Sequence, residues 1–306
     1  MIRRIGLAVG AALLALVIGF VVVAGGRSML RTTAALHPVK IVAPRPAAVG
    51  GFARLEDVSF RSPAGLLVRG WYVPTRNGAS VILGHGIGSN RAQLLPEART
   101  LAEAGYGVLL FDWPAHGESE GDLVTWGDRE RGALVAALDW LVQQPSVDPD
   151  RIGALGFSMG GSVVVGVAAK DQRLRALVVE ATFTSLEEEA RWSERHFGVI
   201  SGEAAVLAEE AAGINLSAVR PVAELCSVAP RPVLVIVNDA DPNAPIAMER
   251  RLVAAACGPA ELFVLRGTWH GGYSTTSGEV YRSKLLEFFG KSLGPSLPRR
   301  IGADSQ

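Results

Sequence analysis

The sequence lacks an excess of charge of either sign. Its 306 residues include 30 lysines and arginines and 30 aspartates and glutamates, so the formal net charge at pH 7 is zero. That balance gives no electrostatic reason to expect a strongly charged substrate, and no basic tract is interleaved with aromatics. We therefore expect no nucleic-acid partner.

Internal repeats and low-complexity segments are lacking as well, and the length suits one large domain or two small ones.

Cysteine is scarce. Cys226 and Cys257 are the only two, and their spacing is not that of a metal site. The pair is compatible with one disulfide or with two separate buried thiols, and the sequence leaves both open. We expect neither a metal nor an organic cofactor.

Charge is absent from the segment Ile5–Gly26. About 20 helical residues span the hydrocarbon core of a bilayer, whereas the apolar region of a cleavable signal peptide is shorter, about 7–15 residues. The segment therefore predicts a retained membrane anchor or uncleaved signal over residues 1–26, and a cleaved signal peptide is the alternative.

The charged residues on either side of the apolar segment bear on the orientation of the predicted anchor in the membrane. Arg3 and Arg4 precede the apolar segment, which favours an N-terminus inside the cytoplasm. Arg27, Arg31 and Lys40 follow it and weaken that preference. We expect the remainder of the chain to lie outside the cytoplasm.

After the anchor, residues 27–51 contain three prolines and the stretch "APRPAAVGG", which is typical of a flexible, extended spacer. We predict a globular domain over residues 52–291 and a tail over 292–306. Strands are predicted over Arg54–Phe60, Leu66–Val73, Val81–Gly84, Val108–Asp112, Ile152–Phe157, Ala176–Val179, Val233–Asn238 and Leu262–Leu265. Helices are predicted over Arg91–Ala104, Asp128–Gln143, Gly160–Ala169 and Ser277–Phe289.

This alternation predicts an α/β fold, a mostly parallel sheet with helices on both faces. The first two strands are joined by "RSPAG", a hairpin signal, so we expect them to be antiparallel. Residues 183–219 are rich in Glu and Ala and break the alternation between two core strands. We predict that they form a small helical cap.

The stretch "RIGALGFSMGG" places small residues on both sides of Ser158. A serine nucleophile needs a base, an acid behind the base, and donors for the oxyanion. It also needs a sharp strand-to-helix turn with small flanking residues, which Gly156 and Gly160 supply. A glycine-rich packing turn without chemistry is the alternative interpretation.

Five segments occur in a recognisable order: "GHGIGSN", "FDWPAHGES", "VDPDRIGALGFSMGG", "RPVLVIVNDADPNAP" and "TWHGG". Together they resemble the α/β-hydrolases, and most of all the membrane-anchored or secreted esterase and prolyl-aminopeptidase-like serine hydrolases. The resemblance covers Phe52–Lys291. It implies an α/β-hydrolase fold and a catalytic triad in the chain order Ser, acid, His.

The resemblance assigns the triad residue by residue. Of the five histidines, His270 fits the position of the base, whereas His85 matches a position that shapes the oxyanion loop. The acid is Asp241 or Asp239. Asp241 is preferred because Pro242 follows it, although Asn238 stands where the family often has Gly.

The implied oxyanion donors are the backbone amides of Met159 and Ile87. The glycine-rich loop around Ile87 lacks the Lys-Ser/Thr ending of a phosphate-binding loop. Asp112 matches a structural position of the family. The sequence departs from the family's Asp-x-Arg-Gly there, with Trp113, Pro114 and Ala115 following the aspartate.

The resulting hypothesis is a carboxylic-ester hydrolase that acts on a small-molecule acyl substrate through an acyl-enzyme. A peptidase or amidase of the same fold is the first alternative, and it would need an acid to hold a substrate amine. The Glu-rich stretch Leu186–Arg195 offers candidates, although such runs usually form a solvated face. The second alternative is a catalytically silent binding module. Carbon–halogen chemistry normally uses Asp at the elbow, and Ser158 argues against it.

Overall fold

A mixed β-sheet forms the centre of the domain. The computed structural model describes residues 2–46, 52, 54–267 and 269–294, with side chains from residue 9 onward. Within them the strands are β1 (Glu56–Arg61), β2 (Leu67–Val73), β3 (Ser80–Gly84), β4 (Gly107–Phe111), β5 (Ile152–Phe157), β6 (Leu174–Glu180), β7 (Val233–Asn238) and β8 (Ala260–Leu265).

The strands lie in the order β1-β2-β4-β3-β5-β6-β7-β8. β2 is antiparallel to β1 and to β4, and all later pairings are parallel. The predicted α/β-hydrolase fold is thereby confirmed. Strands β3, β4, β5 and β7 are buried along their whole length, which explains why they read as continuous apolar runs.

Helices cover both faces of the sheet. Their bounds are α1 (Ile2–Leu36), α2 (Leu95–Glu103), α3 (Glu130–Leu141), α4 (Met159–Ala168), α5 (Leu186–Ser193), α6 (Val199–Ala211), α7 (Pro221–Glu224), α8 (Ile246–Ala255), α9 (Tyr273–Thr276) and α10 (Gly278–Ser292). The helix predicted over Arg91–Ala104 is divided into a 3₁₀ turn, Arg91–Leu94, and α2. Pro96 lies in the first turn of α2, where its missing amide proton is tolerated.

The first helix is longer than predicted, and the start of the spacer at residue 27 is wrong. α1 continues through Leu36, because no proline or glycine interrupts the chain between Arg27 and Leu36. Ser28, Thr32 and Leu36 are buried, one helical turn apart. This stripe packs against residues 183–219, which stabilises the extra turns.

The remaining described part of the spacer, residues 37–46, follows the domain surface. The Lys40 ammonium donates to the Ser119 carbonyl at 2.7 Å, and the Asn90 side chain donates to the Ile41 carbonyl at 3.0 Å. Ala43 is buried in the core. Residues 47–51 of the predicted spacer and residues 295–306 of the predicted tail lie outside the described residues.

Residues 183–219 carry α5, α6 and two short 3₁₀ turns between β6 and β7. They have their own apolar core, and Leu36 of α1 belongs to it. The other members are Phe183, Leu186, Ala190, Ala205, Val206, Ile214, Leu216 and Val219. The first helix and the cap thus share one hydrophobic cluster.

The two cysteines form a disulfide. Cys226 lies in a 3₁₀ turn before β7, and Cys257 follows the end of α8. The bond closes a sequence separation of 31 residues and ties together the two connections that flank β7. The alternative of two separate thiols is therefore wrong for this structure.

Candidate active site

Ser158 occupies a strained turn between β5 and α4. Its φ is 53° and its ψ is −118°, a left-handed conformation that a residue with a side chain rarely adopts. Two hydrogen bonds hold the turn. The Ser158 amide donates to the Glu180 carbonyl at 2.7 Å, and the Thr182 hydroxyl donates to the Ser158 carbonyl at 2.8 Å.

Two glycines allow strand and helix to meet at this turn. A Cβ atom at Gly156 would lie 2.2 Å from the Gly160 carbonyl oxygen, and a Cβ at Gly160 would lie 2.2 Å from the Gly84 carbonyl oxygen. Neither distance is possible for real atoms. The small residues around Ser158 are therefore required by the close approach of β5, α4 and β3.

Three side chains from different loops meet beside this turn. The Nε2 atom of His270 lies 3.0 Å from the Ser158 hydroxyl oxygen. The Nδ1 atom of His270 lies 3.0 and 3.1 Å from the two carboxylate oxygens of Asp241. Ser158 follows β5, Asp241 follows β7 and His270 follows β8, so all three lie at the carboxyl edge of the parallel sheet.

The structure separates the two aspartates that the sequence left open. Asp241 is buried, and it also accepts hydrogen bonds from the amides of Asn243 and Ala244 at 2.8 and 3.0 Å. Asp239 is exposed and accepts from the Gly267 amide at 3.0 Å. Asn238 donates to the Trp269 carbonyl at 2.7 Å and so joins the acid strand to the histidine loop.

The loop after β3 is held by two histidines. His85 is buried, and its Nε2 accepts from the Trp113 amide at 3.1 Å. His116 accepts from the Gly88 amide at 3.0 Å through its Nε2. Burial lowers the pKa of His85 to about 3 and also lowers the pKa of His116. Both rings are neutral at pH 7, as their acceptor role requires. Sequence reasoning missed the role of His116, which only the folded loop reveals.

Both amides proposed as oxyanion donors are open. The neighbouring Gly86 and Gly88 amides are used by Gln93 and His116. Across residues 54–267 and 269–294, neither Ile87 nor Met159 donates its amide to a protein acceptor. Met159 begins α4 next to Ser158, at the end of the helix that favours negative charge.

Two positions singled out from the sequence have supporting contacts. The Phe157 ring lies 4.8 Å from the His270 ring, centroid to centroid, and is an apolar neighbour of the base. Asp112 is buried and accepts from the amides of Arg91 and Glu118 at 2.7 and 2.9 Å. Asp112 thus holds its own loop and does not contact His270.

Three acids with raised pKa values were not singled out individually from the sequence: Glu209 and Glu249 are buried, and Glu189 is half-buried. Burial raises the pKa of Glu189 and of Glu209 to about 8, and the charges of Glu209 and Asp241 add to the effect on Glu189. Glu249 of α8 is fully buried, and burial together with Asp241 raises its pKa well above the usual range. Only the fold could reveal that these acids face inward.

The described residues contain no candidate metal site. Among the residues whose placement the structure describes, no three His, Cys, Asp or Glu side chains could together hold a metal ion.

The sheet order and the strained serine turn define an α/β-hydrolase. More narrowly, the chain belongs to the X-Pro dipeptidyl-peptidase (S15) family, whose family model matches residues 57–225. An uncharacterised protein of Mycobacterium tuberculosis (strain H37Rv) is 30% identical over 251 residues, which cover 80% of this chain and 83% of that protein. The uncharacterised protein YfhR of Escherichia coli (strain K12) is 27% identical over 252 residues, covering 78% and 82%.

A solved structure has the same fold. It is an esterase of Pyrococcus furiosus, with a TM-score of 0.71 and 23% sequence identity. The likeness covers 85% of this chain and 98% of the esterase. At this identity the comparison establishes the common fold alone.

The first prediction concerns the glycine at the turn. Gly160→Ala forces a Cβ into the Gly84 carbonyl oxygen, so β3 and α4 must separate. We expect a loss of at least about 3 kcal/mol in the free energy of unfolding, the upper range for overpacking, measured by urea denaturation of the full chain in detergent. Gly290→Ala in α10 is the control, since its Cβ would meet only the Tyr106 hydroxyl at 4.0 Å. Equal stability of both variants would contradict this account.

Proposed function

We propose that this protein is a serine hydrolase that cleaves carboxylic esters through an acyl-enzyme. The observation that carries the proposal is the chain of contacts from Ser158 through His270 to Asp241, each about 3.0 Å long. His270 carries its proton on Nδ1, which donates to Asp241, so that Nε2 is free to accept the Ser158 proton. The serine oxygen then attacks the acyl carbon.

The charge of the tetrahedral intermediate falls on the former carbonyl oxygen. The amides of Ile87 and Met159 are its proposed donors, because both are open and one begins a helix. His270 next gives its proton to the leaving alcohol oxygen, and the acyl group stays on Ser158. Water then loses a proton to His270 and attacks the acyl carbon, which releases the acid and restores the serine.

Ester cleavage is proposed first because the structurally similar Pyrococcus furiosus protein is an esterase, although the shared fold itself is compatible with either acyl substrate. The family description names a peptidase activity, so amide cleavage is the second candidate. A specific observation favours it. Of the three consecutive glutamates in α5, Glu187 pairs with Arg191 and Glu188 pairs with Arg251. Glu189 instead lies within the electrostatic reach of Glu209, Arg195 and Asp241, where the ammonium group of a substrate would favour the ionised carboxylate.

We also propose that α1 is a retained membrane anchor and that the domain lies outside the cytoplasm. α1 is long and apolar enough to cross a membrane, and it lies near the N-terminus, where a signal sequence would have the same character. Retention is supported by Leu36, which belongs to the core of the cap. The Cys226–Cys257 disulfide supports an oxidising compartment.

The test of ester cleavage is a panel of p-nitrophenyl esters from acetate to palmitate, assayed with the full chain in detergent. A parallel panel contains peptide arylamides with free or acetylated N-termini. We expect ester turnover, and in Ser158→Ala a fall in kcat of more than about 10⁴-fold. Turnover of free-amine peptides without turnover of esters would overturn the ester proposal in favour of a peptidase. Ester turnover that survives Ser158→Ala would contradict the nucleophile.

The two aspartates provide a matched pair of variants. Asp241→Asn leaves an amide beside His270 that favours the wrong imidazole tautomer, so we expect kcat to fall about 10⁴-fold. Asp239→Asn keeps an oxygen that accepts from the Gly267 amide, and we expect little change in kcat. The measurement is steady-state hydrolysis of the best ester from the panel. A larger loss in Asp239→Asn than in Asp241→Asn would reverse the assignment.

The cap acids predict a pH-dependent stability. The pKa of Glu209 is about 8 in the folded state and near its ordinary value of about 4.3 in the unfolded state. Its ionisation therefore costs stability increasingly as the pH rises between these two values. In Glu209→Gln this cost is removed, so the Tm advantage over the wild-type chain should grow from pH 5 to pH 9. Glu203→Gln on the same helix is the control, because Arg191 lowers the pKa of Glu203. The absence of a growing advantage would show that Glu209 ionises freely.

A further inference from the structure

The first helix and the cap are joined by polar contacts as well as by the shared apolar cluster. The Ser28 hydroxyl donates to the Ser201 carbonyl at 2.6 Å. The Arg31 guanidinium makes a two-pronged ion pair with Glu194, one prong being 3.1 Å long, and it also stacks over the Phe197 ring at 4.1 Å from the centroid. These contacts fix the cap beside the last turns of α1.

A groove of about 360 Å³ lies between the two elements. On the α1 side it is lined by Phe20, Val23 and Arg27, and on the cap side by His196 and Phe197. The Phe197 side chain is 56% exposed despite its contact with Arg31. The end of the groove near Phe20 and Val23 is thus apolar, and Arg27 lies at the other end.

The position of the groove along α1 determines its surroundings. Arg27 is the first charged residue after the apolar segment Ile5–Gly26. Phe20 lies two helical turns before Arg27, about 10 Å along the helix axis. If the apolar segment is in the bilayer, Phe20 and Val23 lie at the level of the acyl chains, and Arg27 lies at the level of the headgroups. The exposed cap residues Phe197 and Val199 then face the membrane interface.

Of the two arginines that line the groove, Arg31 is paired with Glu194, whereas Arg27 is not balanced by a described residue. Glu194 is occupied by Arg31, and Glu203 is occupied by Arg191. Arg27, by contrast, forms no ion pair with any residue that the structure describes, and the His196 side chain likewise makes no hydrogen bond there. An uncompensated arginine at headgroup level attracts anionic lipid.

We propose that this groove binds one anionic phospholipid of the surrounding leaflet. Its phosphate contacts Arg27 and His196, and one acyl chain lies over Phe20, Val23 and Phe197. The inference rests on the proposed retention of α1 in a membrane and is independent of the reaction at Ser158. The bound lipid would seal the groove between anchor and cap and hold the cap at the membrane surface.

The test uses the full chain in nanodiscs that contain equal amounts of phosphatidylglycerol and phosphatidylcholine. Native mass spectrometry of the released protein counts the retained lipids. We expect one phosphatidylglycerol, preferred over phosphatidylcholine. Arg27→Gln should reduce that preference about fivefold. His196→Ala should also reduce it, because the contact of the imidazole with the phosphate is lost, and this variant lies outside α1 and so leaves membrane insertion intact.

The control is Arg99→Gln, an exposed arginine of α2 that lines a different surface depression. It should retain the wild-type preference. No preference for phosphatidylglycerol, or a preference that both groove variants keep, would overturn the proposal. Recovery of a chain cleaved before the cap would overturn it as well, because Phe20, Val23 and Arg27 would be gone. Ester turnover by the same wild-type sample reports separately on the proposed hydrolase.

Discussion

The close approach of β3, β5 and α4 at Ser158 is the constraint on which the site depends. No side chain fits at Gly156 or Gly160, and Ser158 adopts a left-handed conformation that the surrounding hydrogen bonds maintain. Strain of this kind persists only where the fold over-determines it. The turn places the serine hydroxyl at the carboxyl edge of the sheet, where the loops after β7 and β8 bring Asp241 and His270.

Much of this could be predicted from the sequence. Strands β3, β4, β5 and β7 are buried along their whole length, so their apolar runs are easily recognised, and the serine turn has a local signature in its glycines. The pairing of His270 with Asp241 could be predicted from the order of motifs along the chain, whereas excluding Asp239 required the burial and the hydrogen-bond partners of both aspartates. Single-residue burial at a strand end is not encoded in any local pattern.

Other features depend on long-range packing, and the sequence missed them or left them open for that reason. The sequence predicts residues 27–36 as part of a spacer, because their burial against the cap involves residues more than 160 positions away. The disulfide depends on how the turn before β7 meets the end of α8. The inward orientation of Glu189 could not be distinguished from that of Glu187 and Glu188, since all three are consecutive in one acidic stretch.

The central claim is that Ser158 is the reacting nucleophile, and the most direct test is to locate a covalent adduct. The full chain is treated with a fluorophosphonate, digested and sequenced by tandem mass spectrometry. The account predicts one phosphonyl group per chain, on Ser158, and much slower labelling after Asp241→Asn. A chain that gives no adduct, or an adduct on a different serine such as the neighbouring Ser162, would contradict it.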